Sequence, residues 1–327
     1  MKVKICLLLT MLIICVTACG QAKEEIQISD KTEEMKEVSD SEISKVQETI
    51  ESTYTFTDAL DREVSVKDPK RVVSLLGSFS DEWLLAGGAL VGTPSDTFKN
   101  YDYELSGVTD IGSHMEPDVE LVLSLEPDFV IASSMQNAQV EMLEILENAG
   151  ISVAYFYVNS FDDYLNSLEV FTNITGRDDL FNKYGLEVKA EIEEAISKID
   201  GKKPTVLLVR AATSSVKIKG STGTVGGEIL AALDTVNIAD SESLLEDLSM
   251  EAIIVADPDY IFVTTQGSNT EAALANVEEL MISNPAWQSL KAVQTGNYYV
   301  LDKALYNSKP NARWGEAYSQ LANIIYP

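Results

Sequence analysis

The sequence carries one short passage twice. Residues 119–134 read VELVLSLEPDFVIASS and residues 250–265 read MEAIIVADPDYIFVTT, so a gapless alignment lays Glu120 on Glu251 and Pro127-Asp128 on Pro258-Asp259. A proline disfavours helical conformation in the residue before it and cannot itself sit in a helix interior, so the first half of each copy predicts a helix that ends at the Pro-Asp pair. Asp118 and Ser249 are placed to cap those helices at their starts. The runs FVIA and YIFVTT are short and rich in β-branched and aromatic residues, which predicts buried strands. Helix, turn, strand is one step of an α/β sheet. Two such steps far apart in the chain predict two similar lobes, each with its own sheet.

The remaining segments fit that plan. RVVSLLG (Arg71 to Gly77) reads as a buried strand, and SFSDEWLLAGG behind it as a helix with serine caps and a closing glycine pair. NAQVEMLEILENAG is a further helix and ISVAYFYV the strand after it. From Phe161 to Ile199 the pattern is helical, interrupted at Thr175-Gly176-Arg177, and DDLFNKYGLEVKAEIEEAISKI can supply one long helix. After GKKP, strands and helices alternate again through TVLLVRA, GGEILAAL, the second repeat, EAALANVEELM, YYVLD and WGEAYSQLANII. The expected fold is α/β: two Rossmann-like lobes, 54–176 and 201–327, joined by a long rigid α-helix over 177–200, with the ligand cleft between the lobes.

The first residues describe export. Met1-Lys-Val-Lys is basic, and the apolar run from Ile5 to Val16 is too short to span a bilayer. It closes on Val16-Thr17-Ala18-Cys19-Gly20, which resembles a bacterial lipobox; 1–18 is then a lipoprotein signal peptide and Cys19 the lipidated residue, unless that cysteine merely follows an ordinary secretory signal. Cys6 and Cys15 fall inside the signal, so the exported chain has no disulfide. Residues 19–53 form an acidic stretch with too little apolar surface to offset ordering, expected to be a flexible tether with some helical spacing. The expected location is extracytoplasmic, anchored to the cell membrane by lipid.

Charge and motif content exclude several functions. With 52 Asp and Glu against 24 Lys and Arg, the net charge is −28 and a nucleic-acid partner is excluded. Between Arg71 and Arg177 the only Lys or Arg is Lys99, so cations lining a site come mostly from the second half. A single histidine, His114, argues against sites built on several imidazoles. No nucleophile elbow, metal-ligand cluster or catalytic carboxylate pair stands out, and GSTGTVGGEIL lacks the Gly-Lys-Ser/Thr ending of a phosphate loop. No enzymatic activity and no intrinsic cofactor are expected.

Taken in order, the lipobox, the tether, TFTDALDREVSVKDPKRVVSL, PDVELVLSLEPDFVIA, the linking helix, LSMEAIIVADPDYIFV and NPAWQSLKAVQTGNYYVLD resemble the substrate-binding lipoproteins of ABC importers for iron-siderophores, haem and cobalamin, over essentially all of Tyr54 to Pro327. The resemblance implies a monomer that holds its ligand between the lobes and delivers it to a membrane permease driven by an ATPase. It implies that Glu120 and Glu251 dock onto permease arginines; the alternative is that each merely favours its helix dipole in a first turn. IGSHMEPDVE is similar to haem-binding relatives in which a methionine of this pattern ligates haem iron, which would be Met115. The second ligand there is a histidine, whereas this chain has Gln266 in FVTTQGS, a poor haem ligand. His114 and Met115 then line the cleft as ordinary contacts. The expected cargo is an iron complex, a ferric siderophore first, with haem or cobalamin, or a non-transport sensor or adhesion role, as alternatives.

Other candidate contacts follow from position. Arg210 ends a strand, with Lys217 and Lys219 after it, a set suited to carboxylates or catecholates; the lysines could equally form one solvated face. Ser221 and Thr222, with Thr224, offer hydroxyls and amides at a glycine-rich turn. Ser78, Phe79 and Trp83 follow the first strand, where core packing is the common alternative, Trp83 especially. Arg313 lies beside Lys309 and Trp314 ahead of the last helix, with Trp314 read as its anchor.

Overall fold

A computed structural model describes residues 53–240 and 250–327, all within one compact unit, Glu51–Pro327. The expected signal peptide, the expected lipidation site Cys19, the expected tether up to residue 52 and the expected cap Ser249 lie outside the described residues.

The order begins with the strands β1 (Thr53–Thr57) and β2 (Glu63–Lys67), an antiparallel hairpin that buries Val64 and Val66. Then come β3 (Val72–Ser74), α1 (Gly77–Leu85), β4 (Gly92–Thr93), α2 (Ser95–Asn100), β5 (Thr109–Asp110), α3 (Val119–Ser124), β6 (Phe129–Ser133), α4 (Asn137–Val140), α5 (Leu143–Asn148) and β7 (Ser152–Phe156). Their sheet is parallel throughout, in the order β5-β4-β3-β6-β7. The first lobe closes on α6 (Phe161–Thr175), and the linking segment is α7 (Asp178–Phe181), a π-helical turn at Asn182–Leu186, and α8 (Glu187–Ile196). The second lobe contains β8 (Thr205–Ala212), β9 (Ser215–Lys219), α9 (Val225–Ala232), β10 (Val236–Asn237), α10 (Met250–Ala256), β11 (Tyr260–Thr265), α11 (Thr270–Val277), α12 (Lys291–Gln294), β12 (Tyr298–Val300), α13 (Lys303–Tyr306) and α14 (Trp314–Ile325). Here β10-β8-β11-β12 run parallel, and β9 adds antiparallel to the far half of β8.

The repeated passage is the same construction in both sheets. Glu126 and Asp257, each just before the proline, take a left-handed φ of 47° and 40°, which turns the chain out of the helix. The following aspartate then clamps the start of the neighbouring strand. Asp128 accepts from the Lys70 and Arg71 amides at 2.7 and 2.9 Å while its own amide donates to the Arg71 carbonyl. Asp259 accepts from the Thr205 amide and hydroxyl at 2.9 and 3.0 Å and donates to the Thr205 carbonyl. Register follows from these clamps: Val72 lies opposite Phe129, and Val206 opposite Tyr260. Each sheet thus has its repeat strand held beside its first strand by an Asp that proline places at the helix exit.

Gly176, at φ 69°, ends α6 in the left-handed conformation that a side chain would strain. Beyond it the helix runs from Asp178 to Ile196, widened by one π turn that the apolar pattern did not announce. A Cβ on Gly185, within that turn, would stand 2.9 Å from Leu165 Cδ1, so the glycine lets the helix press against α6. Val188, Ile192 and Ala195 of α8 join Phe79, Phe156, Phe171, Leu208, Ile229, Trp314 and Leu321 in a single apolar core. That core includes residues of both lobes and the linking helix; separate cores lie under the outer face of each sheet.

Candidate ligand-binding cleft

In both sheets the parallel strands deliver their carboxyl ends to loops where ligands of α/β folds gather. On the first lobe these loops are braced from below. Gln139 is fully buried: its side chain accepts from the Ser133 amide at 2.8 Å and donates to the carbonyls of Leu75 and His114, both at 2.9 Å, tying together the ends of β6, β3 and β5. Ser80, Thr93 and Thr97 form a buried hydroxyl chain, at 2.6 and 2.7 Å, that holds α1 to the end of β4. Met115 leaves this frame 54 % exposed. His114 beside it is partly buried, its Nδ1 3.5 Å from Asp96 Oδ2. The bond to Asp96 raises the imidazole pKa, and partial burial opposes that. Asp96 in turn lies against Gly77, where a Cβ would approach its carboxylate to 2.8 Å.

The second lobe presents cations. Arg210 on β8 lies directly opposite Lys217 on β9, and Lys219 lies opposite Leu208, so all three share one face of the ribbon. Burial lowers the pKa of Arg210 and of Lys219, and Arg210 and Lys217 lower Lys219 further. None of the three makes an ion pair among the described residues. In so acidic a chain, three like charges with no ion-pair partner among the described residues, Arg210 and Lys219 partly buried and Lys217 exposed, invite an anion. Gln266 follows β11 at the same edge and is exposed.

A polar junction ties the lobes together. Asn311, fully buried at φ 50°, donates from Nδ2 to the Ser78 carbonyl at 2.8 Å and to Asp81 Oδ2 at 2.6 Å. The Tyr103 hydroxyl donates to Asp81 Oδ1 at 2.7 Å. Glu82, also fully buried, accepts from Ser167 on Oε1 and leaves Oε2 without a partner, and desolvation pushes its pKa well up. Lys309 Nζ lies 5.7 Å from the Phe79 ring centroid, its pKa lowered by burial against the pull of Glu82 and Asp163.

Several expected contacts take other places. Phe79 and Trp83 are 0 and 1 % exposed: Phe79 meets Phe156 edge-on, and Trp83 packs on Phe129 and Phe171 while its indole N–H donates to the Ala89 carbonyl. Both are core residues. The side chain of Ser78 is partly exposed, but its carbonyl is taken up by Asn311. Ser221 is already committed, its amide and hydroxyl donating to the Asp240 carboxylate at 2.8 and 2.6 Å, and the Gly223 amide donates to Glu228. The glycine-rich turn is therefore filled by the chain's own carboxylates, which repel an anionic ligand. Thr222 is exposed, and Thr224 caps α9 through the Gly227 amide. Arg313 is neutralised in a two-pronged pair with Glu316 at 2.7 and 3.0 Å. Trp314 is buried as an anchor, though its indole N–H has no partner. The residues that pattern reasoning passed over are Asp96, Asn311, and the exposed Phe98, Met135 and Tyr157; the strand-end rule applied to every strand would have pointed to the last three.

Glu120 and Glu251 are both exposed and sit in the first turns of α3 and α10. Asp118 caps α3, accepting from the Glu120 and Leu121 amides at 3.0 and 3.1 Å. Among the described residues, no helix is long and apolar enough to cross a membrane, and no three His, Cys, Asp or Glu are placed to hold a metal ion.

This geometry has counterparts. The Fe(3+)-citrate-binding protein YfmC of Bacillus subtilis is 26 % identical over 244 residues, covering 72 % of this chain and 74 % of that one. The high-affinity heme uptake system protein IsdE of Staphylococcus aureus is 26 % identical over 253 residues, covering 72 and 80 %. The crystal structure of Staphylococcus aureus SirA complexed with staphyloferrin B superposes with a TM-score of 0.64 at 22 % identity, over 84 % of this chain and 97 % of that one, and shares the fold. The periplasmic binding protein family model matches residues 73–305, from the first strand of the first lobe to α13 of the second. With two parallel sheets, a linking helix and a family model matched over residues 73–305, the chain belongs to the periplasmic binding protein family, whose members are solute-binding proteins.

Proposed function

We propose that this chain is the extracytoplasmic component of an ABC importer, capturing a ferric siderophore between its lobes and handing it to a membrane permease coupled to an ATPase. The observation that carries this reading is the group Arg210, Lys217 and Lys219, three cations on one face of the β8-β9 ribbon with no ion-pair partner among the described residues. Ferric complexes of carboxylate and catecholate ligands are anions, and guanidinium binds such oxygens in pairs. Lipid on Cys19 would hold the protein at the membrane, as a monomer on its tether. The iron is cargo. Haem is the second reading, favoured by the exposed thioether of Met115 and weakened by Gln266 on the opposite lobe, whose amide is a poor partner for iron.

Glu120 and Glu251 are assigned to permease docking because the same exposed carboxylate sits at the same place in both copies of the repeat. Surface charges far from a partner contribute little to stability. The double charge reversal Glu120→Lys with Glu251→Lys is therefore expected to leave folding and ligand affinity unchanged while abolishing uptake by cells. Uptake at the wild-type rate in that variant would remove the docking assignment.

A further inference from the structure

The first lobe carries a row of exposed apolar side chains along the edge that faces the ligand. Met115 follows β5 at 54 % exposure, Phe98 follows β4 at 40 %, Met135 follows β6 at 59 % and Tyr157 follows β7 at 41 %. Sheet order makes these neighbours: β5, β4, β3, β6 and β7 lie side by side, so at about 4.8 Å per strand the row extends across roughly 19 Å. Among the other exposed large apolar residues described, Ile145, Leu186, Val255 and Leu280 lie on helical segments, and Val236 and Val300 lie in strands of the second lobe. Single exposed apolar residues are ordinary, but four placed after four of the five strands of one sheet, Phe98 from the helix α2 among them, form a surface.

The ledge is built in advance of any ligand. Gln139 pins the loops that carry Met115 and Met135, the Met135 amide donates to Ser133 Oγ at 3.2 Å, the Thr93–Thr97 hydroxyl bond holds the helix that carries Phe98, and Asn159 donates to the Tyr157 hydroxyl at 2.7 Å. Its cations are few: Lys99 follows Phe98, Lys309 of the second lobe is buried against Phe79, and His114 is engaged by Asp96. A group of three cations without ion-pair partners among the described residues stands on the other wall, Arg210, Lys217 and Lys219, and anionic groups of the ligand turn there. Thioethers and aromatic rings recognise the faces and edges of flat π systems.

Resting on the import reading above, we propose that the cleft selects an aromatic polyanion, whose ring surface lies on Phe98, Met115, Met135 and Tyr157 of the first lobe while its anionic groups reach Arg210, Lys217 and Lys219 of the second. A ferric catecholate chelate and an iron porphyrin dicarboxylate share this chemistry. Ferric citrate lacks the ring surface, and a ferric trihydroxamate lacks both the rings and the charge.

The test is a fluorescence-quenching titration of the purified full chain with four probes: a ferric tris-catecholate, ferric protoporphyrin, ferric citrate and ferric desferrioxamine. One of the aromatic probes is expected to bind at least about tenfold more tightly than either non-aromatic probe, and which one it is identifies the source of the ring. Phe98→Ser and Met135→Ser are each expected to weaken that probe by about five- to tenfold and to leave ferric citrate unchanged, the loss of apolar contact area on a surface that does not hold the fold. Met135→Leu keeps the area and should retain most of the affinity. Preference for citrate or the hydroxamate, or equal affinities in all ledge variants, would overturn the aromatic selection while leaving an iron-complex carrier standing. Binding of none of the four would overturn the import reading together with it.

Discussion

His114 is the only histidine in the chain, so its titration can be read without ambiguity. Its bond to Asp96 favours the imidazolium, while partial burial and nearby Lys309 disfavour it, and the net pKa lies above the ordinary value. A raised folded-state pKa means the contribution to stability is fully present below the ordinary histidine pKa of about 6.5 and is lost as pH rises through the folded value. The one imidazole proton resonance should therefore titrate above about 6.5 in the wild type. In Asp96→Asn only the opposing influences remain, and the midpoint should fall below that value; an unchanged midpoint would show that Asp96 does not govern it. At this scale the sequence was legible in part. Arg210 was expected to end its strand, but β8 continues to Ala212 and pairs there with β9, which carries Lys217 and Lys219, so the three cations sit on a ribbon rather than at a strand end; whether a cation is free depends on which carboxylate reaches it. Arg313 is cancelled by Glu316 one helical turn on, and Ser221 by Asp240, contacts whose rotamers no spacing rule specifies.

Among the elements, the helices and strands of the repeat were readable because proline, a capping aspartate and a β-branched run each impose a local conformation. The linking segment was readable as helical, yet its π turn was not; Gly185 within it meets Leu165 on another helix, a contact no local pattern announces. The same kind of close approach joins α14 to α8. A Cβ on Gly315 would stand 2.7 Å from Glu191 Cβ, so only glycine allows the last helix to seat against the linker. Gly315→Val is expected to destabilise the protein by about 1–3 kcal/mol through overpacking, visible as a lower thermal unfolding midpoint. A midpoint equal to that of the wild type would mean that the two helices do not seat this closely.

At the scale of the whole molecule, two lobes with separate sheets share one apolar core and one buried polar junction through Asn311 and Asp81. Such a connection resists wide hinge motion, because opening the lobes would expose that core and strip Asp81 of a bond in a buried site. Ligand binding is expected to change the solution scattering profile only slightly. The walls of the cleft then act as fixed surfaces, with the cationic wall of the second lobe holding an anionic iron complex. The decisive comparison is the affinity of the full chain for a ferric catecholate siderophore against that of the triple variant Arg210→Gln, Lys217→Gln, Lys219→Gln. Tight binding by the wild type is expected, with a loss of about 100-fold or more in the variant, roughly 1–1.5 kcal/mol for each charge-assisted contact. Equal affinity in the two proteins would contradict it.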